Sequence, residues 1–69
     1  FYMSKHITPW GKRCKVQMVM LDKSLADISK ETGYTRPYIS SVINGRQIAS
    51  AEAYKKISEV LQVDTGLLV

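Results

Sequence analysis

The sequence is poor in the residues that build disulfides, metal sites and membrane spans. Its 69 residues contain one cysteine, Cys14, and one histidine, His6. A single cysteine excludes a disulfide within the chain and fits a reducing compartment. No apolar run approaches the roughly 18 residues of a membrane-spanning helix, and the polar start is unlike a signal peptide. We therefore expect a cytoplasmic protein with no membrane partner, no metal and no cofactor.

The residue patterns of common enzymes are also missing. The sequence contains no phosphate-binding glycine loop, no cluster of metal ligands and no evident acid/base pair. Serines are numerous, but His6 is the only histidine that could activate one, and no Ser-His-Asp pattern accompanies it. We therefore predict that the chain is not an enzyme.

The composition is that of a small, compact and basic domain. The hydrophobic fraction of 45% is enough for a core and too high for disorder. A chain of this length buries only about 60% of its unfolded surface, so one small domain is expected. Ten lysines and arginines against six acids give a net charge of +4. This balance is compatible with nucleic acid, but the positions of the charges carry more information than their sum.

Helix-start and helix-stop residues divide the chain into four to five short helices. Helix N-caps are predicted at four Ser or Thr positions, namely Thr8, Ser24, Thr35 and Ser50. Gly33 and Gly45 mark helix ends, where glycine adopts the left-handed conformation without strain. No segment has the period of a strand, so the fold class is all-α. Residues 1–8 form an N-terminal arm and 9–69 the domain; Phe1 and Tyr2 precede Met3 and are interpreted as residues left by an expression vector.

Apolar residues recur at helical spacing in each predicted helix. In the first helix, about Pro9–Leu21, the inward face consists of Trp10, Cys14, Met18 and Leu21. Three more apolar residues, Val16, Val19 and Met20, widen this band and predict a well-buried helix. The other predicted core residues are Leu25, Ile28, Tyr34, Ile39, Val42, Ile43, Tyr54, Ile57, Val60 and Leu61.

The stretch from Ser24 to Arg46 has the pattern of two short helices joined by a tight turn. Ser24 and Asp27 form a variant of the capping box at the start of its first helix. Between Thr35 and Arg46 the chain has two arginines, no acid and several short hydrogen-bonding side chains. The two helices and their turn predict a helix-turn-helix. The charge pattern predicts that its second helix lies against an anionic surface.

Several residues of this stretch, together with the fourth helix, resemble the phage repressor and Cro-type helix-turn-helix family. They are Ser24, Ile28, Gly33, Ile39, Asn44-Gly45-Arg46 and the ending Ile57…Leu61-Gln62-Val63. The resemblance implies a lambda-repressor-like bundle of five helices with the third helix, residues 35–45, in the major groove. It further implies a bacterial or phage transcriptional regulator, nucleoid-associated, that binds a palindromic double-stranded DNA operator as a homodimer. No small-molecule effector is evident.

The resemblance also assigns contact residues. By position, the base contacts would be Arg36, Pro37 and Ser41, and less surely Ser40. The phosphate contacts would be the backbone N–H of Leu25 and the side chains of Tyr38, Asn44 and Arg46. Two alternatives remain open: Arg36 could only solvate the helix start or pair with a phosphate, and Asn44 could be a helix C-cap. Lys5, Lys12, Lys15 and Lys23 could extend the footprint or simply be solvated.

Two regions depart from this pattern or leave its interpretation open. Relatives often pair an arginine in the first helix with a glutamate in the third, whereas the matching residues here are Met18 and Ile43, which we expect to pack together. At the C-terminal end, Leu67, Leu68 and Val69 either close the core or contact a second copy, and we favour the dimer contact for Leu67 and Leu68. The alternative function is a protein-interaction module or antitoxin-type adaptor with the same fold.

Overall fold

A computed structural model describes residues 8–68, and all regular structure among them is helical. The helices are α1 (Pro9–Met20), α2 (Leu25–Thr32), α3 (Arg36–Ile43) and α4 (Ala51–Leu61), followed by a 3₁₀ turn, Thr65–Leu68. The predicted all-α class and the number of helices are confirmed. The predicted arm lies outside the described residues except for Thr8.

Each α-helix begins at the predicted N-cap. The hydroxyl of Thr8 accepts a hydrogen bond from the backbone N–H of Gly11 at 3.0 Å. Ser24 and Asp27 form a reciprocal capping box, because the Ser24 N–H donates to the Asp27 carboxylate at 2.9 Å and the Asp27 N–H donates to the Ser24 hydroxyl at 3.3 Å. Thr35 and Ser50 cap α3 and α4 in the same way. These bonds satisfy N–H groups that have no partner within the helix.

The core lies where one face of each helix meets the others. Trp10 is fully buried and its ring makes an edge-to-face contact with Tyr54, with the ring centroids 5.0 Å apart. The indole N–H donates to the hydroxyl of Ser58, a buried polar residue, at 2.7 Å. The other buried apolar residues are Cys14, Ile28, Ile39, Val42, Ile43, Ala53, Ile57, Leu61 and Val63. The predicted core positions Met18, Leu25, Tyr34 and Val60 pack against this cluster and are half-buried.

The prediction that α1 is buried on a broad face is wrong. Val16, Val19 and Met20 are exposed, at 45%, 80% and 72% of their full accessible surface. The reason is that α1 packs against α3, α4 and the 3₁₀ turn with the face that carries Trp10 and Cys14. In a bundle of so few helices, no other element within residues 8–68 covers the opposite face.

The turn between α2 and α3 fixes the angle of the helix-turn-helix. Gly33 ends α2 with φ of 84°, a left-handed conformation. The hydroxyl of Ser29 donates to the carbonyl of Tyr34, and the Tyr34 N–H donates to the hydroxyl of Thr32 at 3.2 Å. Buried Ile28 and Ile39 anchor the two helices in the same core, so α3 is held with its opposite face outward.

Candidate nucleic-acid interface

Three of the residues predicted to contact bases lie on the outward face of α3, and the fourth, Arg36, stands at the start of the helix. At 3.6 residues per turn, four positions lie opposite the buried stripe of Ile39, Val42 and Ile43: Pro37, Ser40, Ser41 and Asn44. Arg36, the first residue of the helix, lies at the edge of that stripe and is exposed. Arg36 and Pro37, in the first turn, are exposed, whereas the two serines are half-buried. A long cation therefore projects from the start of α3, and short polar side chains follow it along a low surface.

The end of α3 holds Arg46 in a fixed place. Gly45 has φ of 77°, and the N–H groups of Gly45 and Arg46 donate to the carbonyls of Val42 and Ser41 at 3.2 and 2.9 Å. This pair of bonds is the Schellman motif, which turns the chain sharply at the helix end. Arg46 is exposed immediately after the turn. The two arginines, Arg36 and Arg46, thus stand at opposite ends of α3.

Asn44 caps α3, as the alternative interpretation predicted. Its side-chain amide nitrogen donates to the Ser40 carbonyl at 2.8 Å and approaches the Ser40 hydroxyl at 3.3 Å. The amide group has two N–H donors, and the longer of these contacts is the weaker. A phosphate could replace the Ser40 hydroxyl as partner while the bond to the carbonyl persists.

Tyr38 is positioned by a second tyrosine. Its half-buried ring lies against the ring of Tyr34, with centroids 5.3 Å apart and the planes tilted by 54°. The ammonium group of Lys56 lies 5.7 Å from the centroid of the Tyr34 ring. This packing restricts the rotamers of Tyr38 at the flank of α3.

A small apolar cleft brings α1 and the start of α2 together with α3. It has a volume of about 150 Å³ and is lined by Lys15, Met18, Leu25, Ser40, Ile43 and Asn44. Met18 and Ile43 both line its wall, so these two apolar side chains lie together where α1 meets α3. The cleft also places Leu25, whose backbone N–H is a predicted phosphate contact, beside Ser40 and Asn44. The sequence analysis did not distinguish Lys15 from the other lysines that could extend the footprint. Its position about one helical turn before Met18 could have indicated that it lies close to the junction of α1 and α3.

The segment of the chain that contains α3 carries no acidic residue. No Asp or Glu occurs from Thr32 to Ala51. Among residues 8–68, the ion pairs join Lys23 to Glu31 at 2.9 Å and Lys56 to Glu52 at 3.4 Å, and neither involves Arg36 or Arg46. Lys23 also donates to the Val60 carbonyl at 3.2 Å, so it joins α2 to α4 and is not a free cation.

The remaining chemistry-bearing residues do not form a site. Burial raises the pKa of the Cys14 thiol to about 12, so the thiol is protonated and unreactive at neutral pH. No group of three potential metal ligands occurs in the described part of the chain; His6 lies outside it. No helix within residues 8–68 is long and apolar enough to cross a membrane.

Leu67, the predicted dimer contact that can be placed, lies in the 3₁₀ turn on the side of α1 and α4. Its side chain is 38% exposed and therefore does not simply fill the core. The side chain of Leu68 and the whole of Val69 fall outside the described residues.

Comparison with known proteins agrees with this geometry. Neither the curated proteins nor the solved structures compared with the chain gave a match. A family described as helix-turn-helix matches residues 17–68, about three quarters of the chain. The match begins within α1 and includes both helices of the helix-turn-helix, α4 and the 3₁₀ turn. The chain therefore belongs to the Cro/C1-type helix-turn-helix family of DNA-binding domains.

Proposed function

We propose that the protein binds specific sequences of double-stranded DNA and regulates transcription by occupying them. The observation that carries the proposal is the exposed surface of α3. Pro37 and Ser41 lie on its outward face, in an acid-free stretch that begins at the exposed Arg36 and ends at the exposed Arg46. A helix of this width fits the major groove. The short serines allow α3 to approach the base edges closely, because no long side chain intervenes in its middle.

Base reading is assigned to the first turn of α3. The planar guanidinium of Arg36 can donate two hydrogen bonds to O6 and N7 of one guanine, which is the commonest specific contact to DNA. The ring of Pro37 has no N–H to donate but offers an apolar surface to a thymine methyl group. Ser41, and Ser40 beside it, supply hydroxyls that both donate and accept.

Phosphate contacts surround this reading face. The N–H of Leu25 lies in the first turn of α2, where backbone donors and the helix dipole favour an anion. Tyr38 and Asn44 flank α3, and Arg46 follows its end. Lys15, on the wall of the cleft beside Asn44, extends the set to α1. Binding affinity is then expected to fall steeply with salt concentration as counterions are released.

The proposed assembly on DNA is a homodimer on a palindromic operator. Two copies related by a two-fold axis would place their α3 helices one helical turn of DNA apart. Leu67, partly exposed beside α4, and Leu68 are the candidate contacts between the copies. Such a complex would block or position RNA polymerase.

The test compares two arginine variants with one control. Arg36→Ala should lose about 1–3 kcal/mol of binding free energy on a selected site and relax the preference at one base pair. Arg46→Ala should weaken binding to all sequences alike and reduce the salt slope by about one. Lys55→Ala, an exposed lysine on α4, serves as control. Sites selected from a random DNA pool supply the ligand, and their half-site spacing reports whether two copies bind.

The competing function is a protein-interaction module or antitoxin-type adaptor. A module of that kind would bind random and selected duplexes equally weakly, with no steep dependence on salt. The proposal fails if the wild-type protein behaves in this way. It also fails in its site assignment if both arginine variants bind as the wild type does.

A further inference from the structure

The exposed face of α1 carries an apolar patch that DNA binding does not use. Val19 lies three residues and Met20 four residues after Val16, and all three are exposed. Side chains at these spacings are neighbours on a helix surface. They form one patch, here called the α1 patch, rather than isolated surface residues.

The charges beside the α1 patch are all of one sign along the helix. Lys12, Arg13 and Lys15 are exposed on α1, which contains no acid. The first acid, Asp22, comes after the helix has ended. Within residues 8–68, both ion pairs lie on other elements. The outer face of α1 is therefore cationic in its first half and apolar in its second half.

This charge distribution selects the kind of partner. A second copy of the chain would bring two cationic faces together, and like charges at a contact are unfavourable. A helix with an apolar stripe and flanking carboxylates is complementary in both respects. We propose that the α1 patch, with Lys12 and Arg13, docks an acidic amphipathic helix of another protein.

The docking site is separate from the DNA face. Met18 marks the side of α1 that meets α3, since both Met18 and Ile43 line the cleft between these helices. At about 100° per residue, Val16 and Met20 lie roughly 160°, and Val19 roughly 100°, around the helix from Met18. The partner helix could thus be bound while α3 occupies DNA. The proposal goes beyond DNA binding and does not depend on it.

The test uses a synthetic helical peptide of about 18 residues, with leucines at helical spacing and glutamates elsewhere. Its affinity is measured by fluorescence anisotropy, and its site by ¹⁵N chemical-shift changes in the full chain. Val19→Ser/Met20→Ser should weaken binding about tenfold or more through lost apolar burial. Lys12→Gln/Arg13→Gln should weaken it and flatten its salt dependence. Ile48→Ser is the matched control, because Ile48 is 90% exposed but lies after α3.

Several results would overturn the proposal. Peptide-induced chemical-shift changes confined to α3 would mean that the acidic peptide binds through its charge to Arg36 and Arg46 and not to the α1 patch. Equal affinity of the Val19→Ser/Met20→Ser variant and the wild type would remove the role of the patch. Sedimentation showing self-association of the wild type that this variant loses would assign the patch to a second copy. Patch-dependent binding to phosphatidylglycerol vesicles without peptide binding would assign it to an anionic membrane surface.

Discussion

Trp10 and Ser58 form the longest-range buried side-chain hydrogen bond of the described domain. It joins α1 to α4 across 48 residues of sequence, with both partners almost fully buried. The N–H group of an indole ring usually has a hydrogen-bond acceptor when the ring is buried in a core. The sequence pattern placed Trp10 in the core, but its partner was not predicted. Helical spacing puts Ser58 on the same face of α4 as Tyr54 and Leu61, whereas its distance from Trp10 depends on how α1 packs against α4.

Ser58→Ala should destabilise the protein by about 1–3 kcal/mol, because it leaves the Trp10 N–H buried without an acceptor. Urea unfolding of the two proteins measures the difference. The double variant Trp10→Phe/Ser58→Ala is the informative control, since removing both polar groups leaves no donor unpaired. If Ser58→Ala costs the same in the Trp10→Phe background as in the wild type, the hydrogen bond is not the cause.

Asp27 links the start of α2 to pH. The backbone N–H of Ser24 holds the pKa of the Asp27 carboxyl below its ordinary value, and the Ser24 hydroxyl and the charges of Lys23 and Lys30 add to the effect. A pKa that is lower in the folded state stabilises the fold above the unfolded value of about 3.9. That contribution is lost as the pH falls through the lowered folded value.

The matching prediction concerns Asp27→Asn, which keeps an oxygen acceptor but removes the charge. The wild type should be the more stable protein at pH 7, and the difference should shrink as the pH falls from about 4 towards 2. Thermal or urea unfolding across this range gives the two curves. A stability difference that stays constant down to pH 2 would contradict the assignment.

At the scale of the helices, α2 is tied to α3 through one left-handed residue. A side chain at Gly33 would meet no atom within 4 Å, but the φ of 84° is strained for any residue with a Cβ. Gly33→Ala should therefore cost about 1–2 kcal/mol of stability from backbone strain alone. Gly33→Asn should cost less, since asparagine tolerates this conformation. Equal losses for the two variants would point to a cause other than φ.

The helices themselves were predictable because their boundaries are local. Ser24, Thr35 and Ser50 bond to N–H groups three residues ahead, and Gly33 and Gly45 stop helices through their own backbone freedom. Such signals depend on neighbouring residues only. The third helix is Arg36–Ile43 within the predicted 35–45, the predicted cap and stop residues completing the range.

The width of a buried face was not predictable in the same way. Periodicity identified Trp10 and Cys14 as inward, but the exposure of Val19 depends on how many other helices surround α1. The cleft between Met18, Leu25 and Asn44 likewise depends on distances between elements that no single helix encodes. The outward face of α3 could be predicted because it follows directly from the position of its buried stripe.

At the scale of the whole molecule, cationic and apolar surfaces are distributed over two sides. The proposed DNA face consists of α3 with Arg36 and Arg46, and the cleft adds Lys15 from α1. The α1 patch faces away from Met18 and hence from α3. The two proposals together give this small domain one surface for a duplex and another for a protein helix.

Because Cys14 is completely buried, the rate at which its thiol is alkylated measures how often the core opens. The thiol is the only one in the chain, and its raised pKa of about 12 keeps it from forming the nucleophilic thiolate. We expect alkylation by iodoacetamide at pH 8 to be slower by orders of magnitude in the native protein than in urea, because reaction requires the core to open. Intact mass spectrometry at successive times measures the fraction of the protein that is alkylated. A duplex that binds only the folded state should slow alkylation further, so the Cys14 thiol in the core would report whether the domain is bound to DNA.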